Sequence, residues 1–122
     1  MEEGNPVFIV DTKEMLSSFT KTISEVSGIN DNFTSVSIIK HESNYFLVFL
    51  GNKHKSVFRL DVVEGMLAPV DMHIACTTSE CASEQWGCVP TGDVTPSCTR
   101  CANNGKCTKT TSSKNLFTYG KY

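Results

Sequence analysis

Cysteine is missing from residues 1–75, and large apolar side chains are nearly missing from the stretch that follows. Between Cys76 and Cys107 the only sizeable apolar residues are Trp86, Val89 and Val94. A segment so poor in oily side chains cannot offset its ordering entropy by burial. It must be cross-linked, metal-bound or disordered. Other absences narrow the function. No run approaches the roughly 18 consecutive apolar residues of a membrane span. Eleven Lys+Arg against thirteen Asp+Glu leave a net charge of −2, no electrostatic footprint for nucleic acid. The GxSxG, HExxH, EF-hand and glycine-rich phosphate motifs are absent, and three scattered His residues support no Ser/His/Asp arrangement. Asp61 and Glu64 read as solvated turn charges. Asn32-Phe-Thr34 is a glycosylation triplet of a kind that occurs often by chance.

What is present divides the chain near Cys76. Residues 1–75 carry ten acids, six bases and six of the seven Phe, whereas residues 76–122 carry three acids, five bases and all six Cys. Met1–Pro6 is a polar lead-in, with Pro6 opposing a helical start. A basic stretch followed by an apolar one, the mark of a secretory signal, does not open the sequence. Either a cytoplasmic protein or a mature exported chain fits, and the cysteine usage favours export.

Asp11 and Glu14 have capping-box spacing, and Met15, Leu16, Phe19, Ile23 and Val26 follow at helical intervals up to Gly28. This predicts an amphipathic helix over about residues 12–27. Val36, Ile38 and Ile39 begin strand-like patterning. Tyr45–Leu50 is almost continuously apolar, as a central strand requires. Phe58, Leu60 and Val62 alternate with polar neighbours, and Leu67–Ala75 supplies a fourth strand that Pro69 pushes to an edge. The expected fold is α+β. One helix packs on the single oily face of an antiparallel meander of about four strands over residues 7–75. A disulfide-rich, mostly irregular segment follows over 76–107. The tail, 108–122, is able to add an edge strand through its apolar end, Leu116–Tyr122, in this chain or a second copy.

The cysteines are spaced Cys76-x4-Cys81-x6-Cys88-x9-Cys98-x2-Cys101-x5-Cys107. The even count, short loops and Gly, Pro, Thr, Ser and Asn spacers read as a disulfide framework, and six cysteines allow 15 pairings. Asn104-Gly105 signals a two-residue hairpin that would put Cys101 and Cys107 on opposite faces and so disfavour their pairing. Two alternatives stand beside it. Cys76, Cys81, Cys98 and Cys101 have the spacing of a structural zinc site, with His73 as a substitute ligand. Cys98-Thr-Arg-Cys101 has the CxxC spacing of a redox pair, without the βαβ setting of that chemistry. Trp86 is either the module's miniature core, packed over a disulfide, or an exposed recognition aromatic.

In topology, residues 7–75 resemble cystatin-like and PepSY-like helix-plus-meander domains. The phrases CTTSEC, GCVP, CTRC and GKCTKT, with the acidic Glu2-Glu-Gly-Asn-Pro6 lead-in, resemble the ends of small Cys-rich secreted proteins or lipoproteins of Bacteroidetes-type bacteria. That resemblance implies an exported protein, secreted or tethered by a lipid, whose membrane contact would come only through such an anchor. The expected function is a non-enzymatic extracytoplasmic binding or assembly module. Its stapled loops, Trp86 among them, would present the surface to a protein partner or to another copy. No catalytic residue, metal or cofactor is expected. The alternative is an intracellular module with the structural zinc.

Overall fold

The computed structural model describes residues 12–41, 44–63, 66–69, 74–83, 87–91, 97–112 and 115–117. The lead-in, Asp11 of the expected capping box, His73, Trp86, Val94 and the last five residues lie outside this set. The first element is α1, Thr12–Ser27. Met15, Phe19 and Ile23 recur at four-residue intervals and are fully buried, while Lys13, Ser17, Lys21 and Glu25 face solvent. Gly28 ends the helix at φ 70°, its amide donating to the Ser24 carbonyl at 3.0 Å. That left-handed step carries almost no steric penalty for glycine.

Five strands pair antiparallel in the order β1 (Ser35–His41), β2 (Asn44–Leu50), β3 (Lys55–Val63), β5 (Ile74–Thr78) and β8 (Thr108–Thr111). A sixth, β4 (Met66–Pro69), pairs with the far end of β3. The sheet is therefore larger than the four strands expected. The single strand anticipated over Leu67–Ala75 is two: Leu60 opposes Pro69 and Val57 opposes Cys76, so seven residues of this stretch pass three of β3. The added edge strand is also placed differently. Among the described residues it is the polar Thr108–Thr111, paired with β5. Leu116 and Phe117 instead enter the core, 0% and 2% exposed.

Both faces of the sheet are oily, where one was expected. On the first, Leu47, Phe49, Phe58, Leu60 and Ala75 pack with Met15, Phe19 and Ile23 of α1 and with Phe33, Leu116 and Phe117. Phe19 stacks on Phe49 at 4.5 Å and meets Phe33 and Phe58 edge-on at 4.8 and 5.5 Å. Such pairs add about 0.5–1.5 kcal/mol each beyond area burial. On the second face, Phe46, Val48 and Val57 cluster with Val89 from the cysteine segment. Adjacent residues of β2 thus serve opposite layers, which accounts for its unbroken apolar run.

Candidate functional site

The six cysteines form three bridges: Cys76–Cys98, Cys81–Cys101 and Cys88–Cys107. Their Cα separations are 5.7, 5.8 and 5.5 Å, within the ordinary range for a disulfide. Each bridge joins the first half of the segment to the second, in order. Cys76, Cys81, Cys88 and Cys101 are buried together, and Cys98 and Cys107 are half-buried against them. Sulfur thus forms the small core that this stretch could not make from hydrocarbon.

The two zinc and redox alternatives meet these pairings directly. Cys76, Cys81, Cys98 and Cys101 are consumed by two of the bridges, so the tetrathiolate they would form does not exist in this state. Cys98 and Cys101 are bonded to different partners and not to each other. Among the described residues no cysteine is free, and no group of three or more His, Cys, Asp or Glu is placed to hold a metal ion.

One bridge ties the loops to the sheet. Cys76 lies in β5, and its partner Cys98 in β7 (Ser97–Cys98), which forms a two-stranded ribbon with β6 (Pro90–Thr91). Thr99 extends that ribbon: its carbonyl accepts the Cys88 amide at 3.1 Å and its own amide reaches the Val89 carbonyl at 2.9 Å. Cys88 has φ 59°, a left-handed conformation uncommon for a non-glycine residue, held by its amide bond and its disulfide. Beneath the ribbon, the buried Lys55 of β3 donates to the Gly87 carbonyl at 2.7 Å.

The remaining loops are stapled by polar groups as well as by sulfur. The Thr78 hydroxyl donates to the Lys106 carbonyl at 2.7 Å and accepts the amides of Glu80 and Cys81 at 3.1 and 3.2 Å. Glu80 accepts the Lys106 amide at 3.0 Å through its carboxylate and the Asn103 side-chain amide at 2.9 Å through its carbonyl. The Asn104-Gly105 hairpin expected from sequence does not form. The turn falls earlier, with the Asn104 amide donating to the Cys101 carbonyl at 3.0 Å, and Asn104 itself is left-handed at φ 62°. Asn103 explains the shift, because its side-chain oxygen takes the Gly105 amide at 2.8 Å.

These loops enclose a cleft of about 360 Å³ lined by Cys98, Thr99, Arg100, Cys101, Asn104, Gly105 and Cys107. Arg100 is exposed at its rim and supplies the positive charge among those lining residues. The cleft combines a wall fixed by disulfides with exposed hydrogen-bonding groups. Of the residues singled out from sequence, the structure gathers all six cysteines into one cluster, three of them lining the cleft, and Trp86 is outside the described residues. Arg100, Thr78 and Glu80 were not singled out, and Asn104 only as part of a turn. CTRC carries the arginine in plain view, but only the bridges put it beside Cys107.

A second polar cluster sits at the turn of the β2–β3 hairpin, where His54 shares a small cavity with Thr78, Glu80 and Lys106. The Asp31 carboxylate accepts the amides of Asn32, Asn52, Lys53 and His54 at 2.7–2.9 Å and lies 2.8 Å from His54 Nδ1. Burial pushes its pKa up, but the Lys53 amide, the His54 ring and the amides of Asn52 and His54 outweigh it and hold the carboxyl well below the usual range. A Cβ at Gly51 would lie 2.7 Å from this carboxylate, so the turn needs glycine. Asp31 therefore fastens the loop after α1 to the β2–β3 turn. Compared with known proteins, the chain matches no protein-family model, and no curated protein or solved structure is significantly similar to it.

Proposed function

We propose that this protein is a non-enzymatic extracytoplasmic binding module whose cross-linked loops carry the interaction surface. The observation that supports this reading is the stapling itself. Three bridges hold the loops around the Arg100 cleft against one face of a sheet whose other face is already filled by α1. Cross-linked loops lose little entropy on engaging a partner, so contacts made there convert to affinity with small ordering losses. The partner would be a protein or another copy of the chain. An oxidising compartment is where three such bridges persist. Among the described residues no helix is long and apolar enough to cross a membrane.

The reading is tested in two steps. Native, unreduced protein should weigh six hydrogens less than its reduced form; six reactive thiols in unreduced material would remove the basis for both the compartment and the stapled surface. The oxidised chain and its Arg100→Ala/Asn104→Ala variant are then compared for binding to partners recovered from the native source. Retention by the parent and loss in a variant of equal melting temperature is the expected result. Equal retention by both places the surface elsewhere.

A further inference from the structure

The three bridges are not equivalent toward an attacking thiol. In Cys81–Cys101 both residues are buried, at 2% and 3% exposure, whereas Cys76 and Cys88 are fully buried and their partners Cys98 and Cys107 are half-buried. Those two more accessible cysteines line the same cleft as Arg100 and Cys101, and the 3% exposure of Cys101 is what sets its bridge apart. Thiol–disulfide exchange requires a thiolate to reach one sulfur directly, and its rate depends on which sulfur is accessible. We propose that the cleft is a thiol-exchange site, at which a small anionic thiol forms a mixed disulfide with Cys98 or Cys107 and leaves Cys81–Cys101 intact. This does not depend on the module having a protein partner.

In the step, the incoming thiolate sulfur bonds to Sγ of Cys98 as the Cys98–Cys76 bond breaks, and Cys76 departs with the electron pair and takes a proton from water. Cys107 and Cys88 react in the same way. The incoming thiol is the only co-reactant, and the bridge is exchanged for a mixed disulfide with no net oxidation. The departing sulfur is in a fully buried residue, where its thiolate is disfavoured. It is therefore a slow leaving group, and because it stays tethered beside the mixed disulfide at high effective concentration it recaptures its partner whenever it ionises, so the mixed disulfide accumulates only with thiol in excess. The Arg100 guanidinium at the cleft favours an anionic thiol over a cationic one, by about two- to fivefold for an exposed charge.

The test uses the oxidised full chain in native buffer with excess 2-mercaptoethanesulfonate, and with cysteamine as the cationic comparison. Rates are normalised to thiolate concentration, and samples are quenched in acid and mapped by peptide mass. Adducts on Cys98 and Cys107 with Cys81–Cys101 preserved are expected. Arg100→Ala should slow the sulfonate about two- to fivefold without slowing cysteamine, and Arg100→Lys should restore the rate. A first adduct on Cys76, Cys81, Cys88 or Cys101 overturns the assignment. So does the absence of any adduct, or loss of all three bridges together at the rate of global unfolding. An Arg100→Ala substitution that changes the rates of the two thiols by the same factor overturns the preference for an anion.

Discussion

Asp31 shows how much one buried side chain can organise. Its carboxylate satisfies four backbone amides from two loops, so its removal takes one shared acceptor from all four. Asp31→Ala should cost about 2–4 kcal/mol, given that hydrogen bonds to a charged group are worth about 1.5–3 kcal/mol each and water replaces part of the loss. The contribution also depends on pH. The pKa of Asp31 is lower in the folded state than in the unfolded chain, so the unfolded chain takes up the proton first as the solution is acidified. The stabilisation is whole above about pH 5, shrinks below the unfolded value of about 3.9, and disappears as pH falls through the folded value. Urea midpoints measured from pH 6 to pH 2 should therefore fall more steeply for the parent than for Asp31→Ala. Parallel curves would mean that the loop tie contributes nothing to stability. Nothing in Asn30-Asp-Asn marks this role in the sequence, because the acceptor is local and three of the donors lie more than twenty residues away.

At the scale of elements, the tail is the sharpest test of the fold. Leu116 and Phe117 sit at the end of a Thr-, Ser- and Lys-rich stretch, yet Phe117 meets Phe58 at 4.8 Å and Phe49 at 5.3 Å on the helix-covered face. Phe117→Ala should lower stability by about 3–5 kcal/mol, the range for a buried aromatic. A loss below about 1 kcal/mol, by chemical denaturation, would make this residue peripheral. The contrast with α1 explains what was legible. The helix is encoded locally, by Met15, Phe19 and Ile23 one turn apart and a glycine stop, and its limits were readable to the residue. The meander through β3 was readable for the same reason, since short turns join runs of strand-forming residues, among them the unbroken apolar stretch of β2. β8 was not. Thr108–Thr111 carries no large apolar side chain and is a strand because the bridges return the chain beside β5, where Thr110 bonds Ser27 of α1 at 2.8 Å. The placement of the cleft was hidden likewise. Six cysteines announce cross-linking but leave the pairings open, and Arg100 and Asn104 face one cavity only once those pairings exist.

Across the whole molecule, the sheet is a partition between two cores of different chemistry. One side is aromatic and aliphatic, supplied by α1 and the tail; the other is a thinner layer of Val48, Val57, Phe46 and Val89 that merges into sulfur. The bridges close loops of similar sequence separation, 22, 20 and 19 residues, so a chain-entropy argument assigns them nearly equal worth, about 3 kcal/mol each. Their positions are not equal. Cys81–Cys101 and Cys88–Cys107 tie loop to loop, while Cys76–Cys98 ties the β6–β7 ribbon to β5, one strand away from Val57. Losing that bridge releases both loop entropy and the cover over the second face. Cys76→Ala/Cys98→Ala should therefore be less stable than Cys88→Ala/Cys107→Ala by about 1–2 kcal/mol, the worth of partly exposing one or two buried aliphatic side chains. The chemical change is the same in both variants, and in each it removes one fully buried and one half-buried sulfur, so the comparison isolates position. Hydrogen exchange supplies the second readout. Amides of β5 and the ribbon should lose protection in the first variant and keep most of it in the second. Equal denaturation midpoints with equal exchange patterns would show that the cysteine module rests on the sheet without helping to hold it.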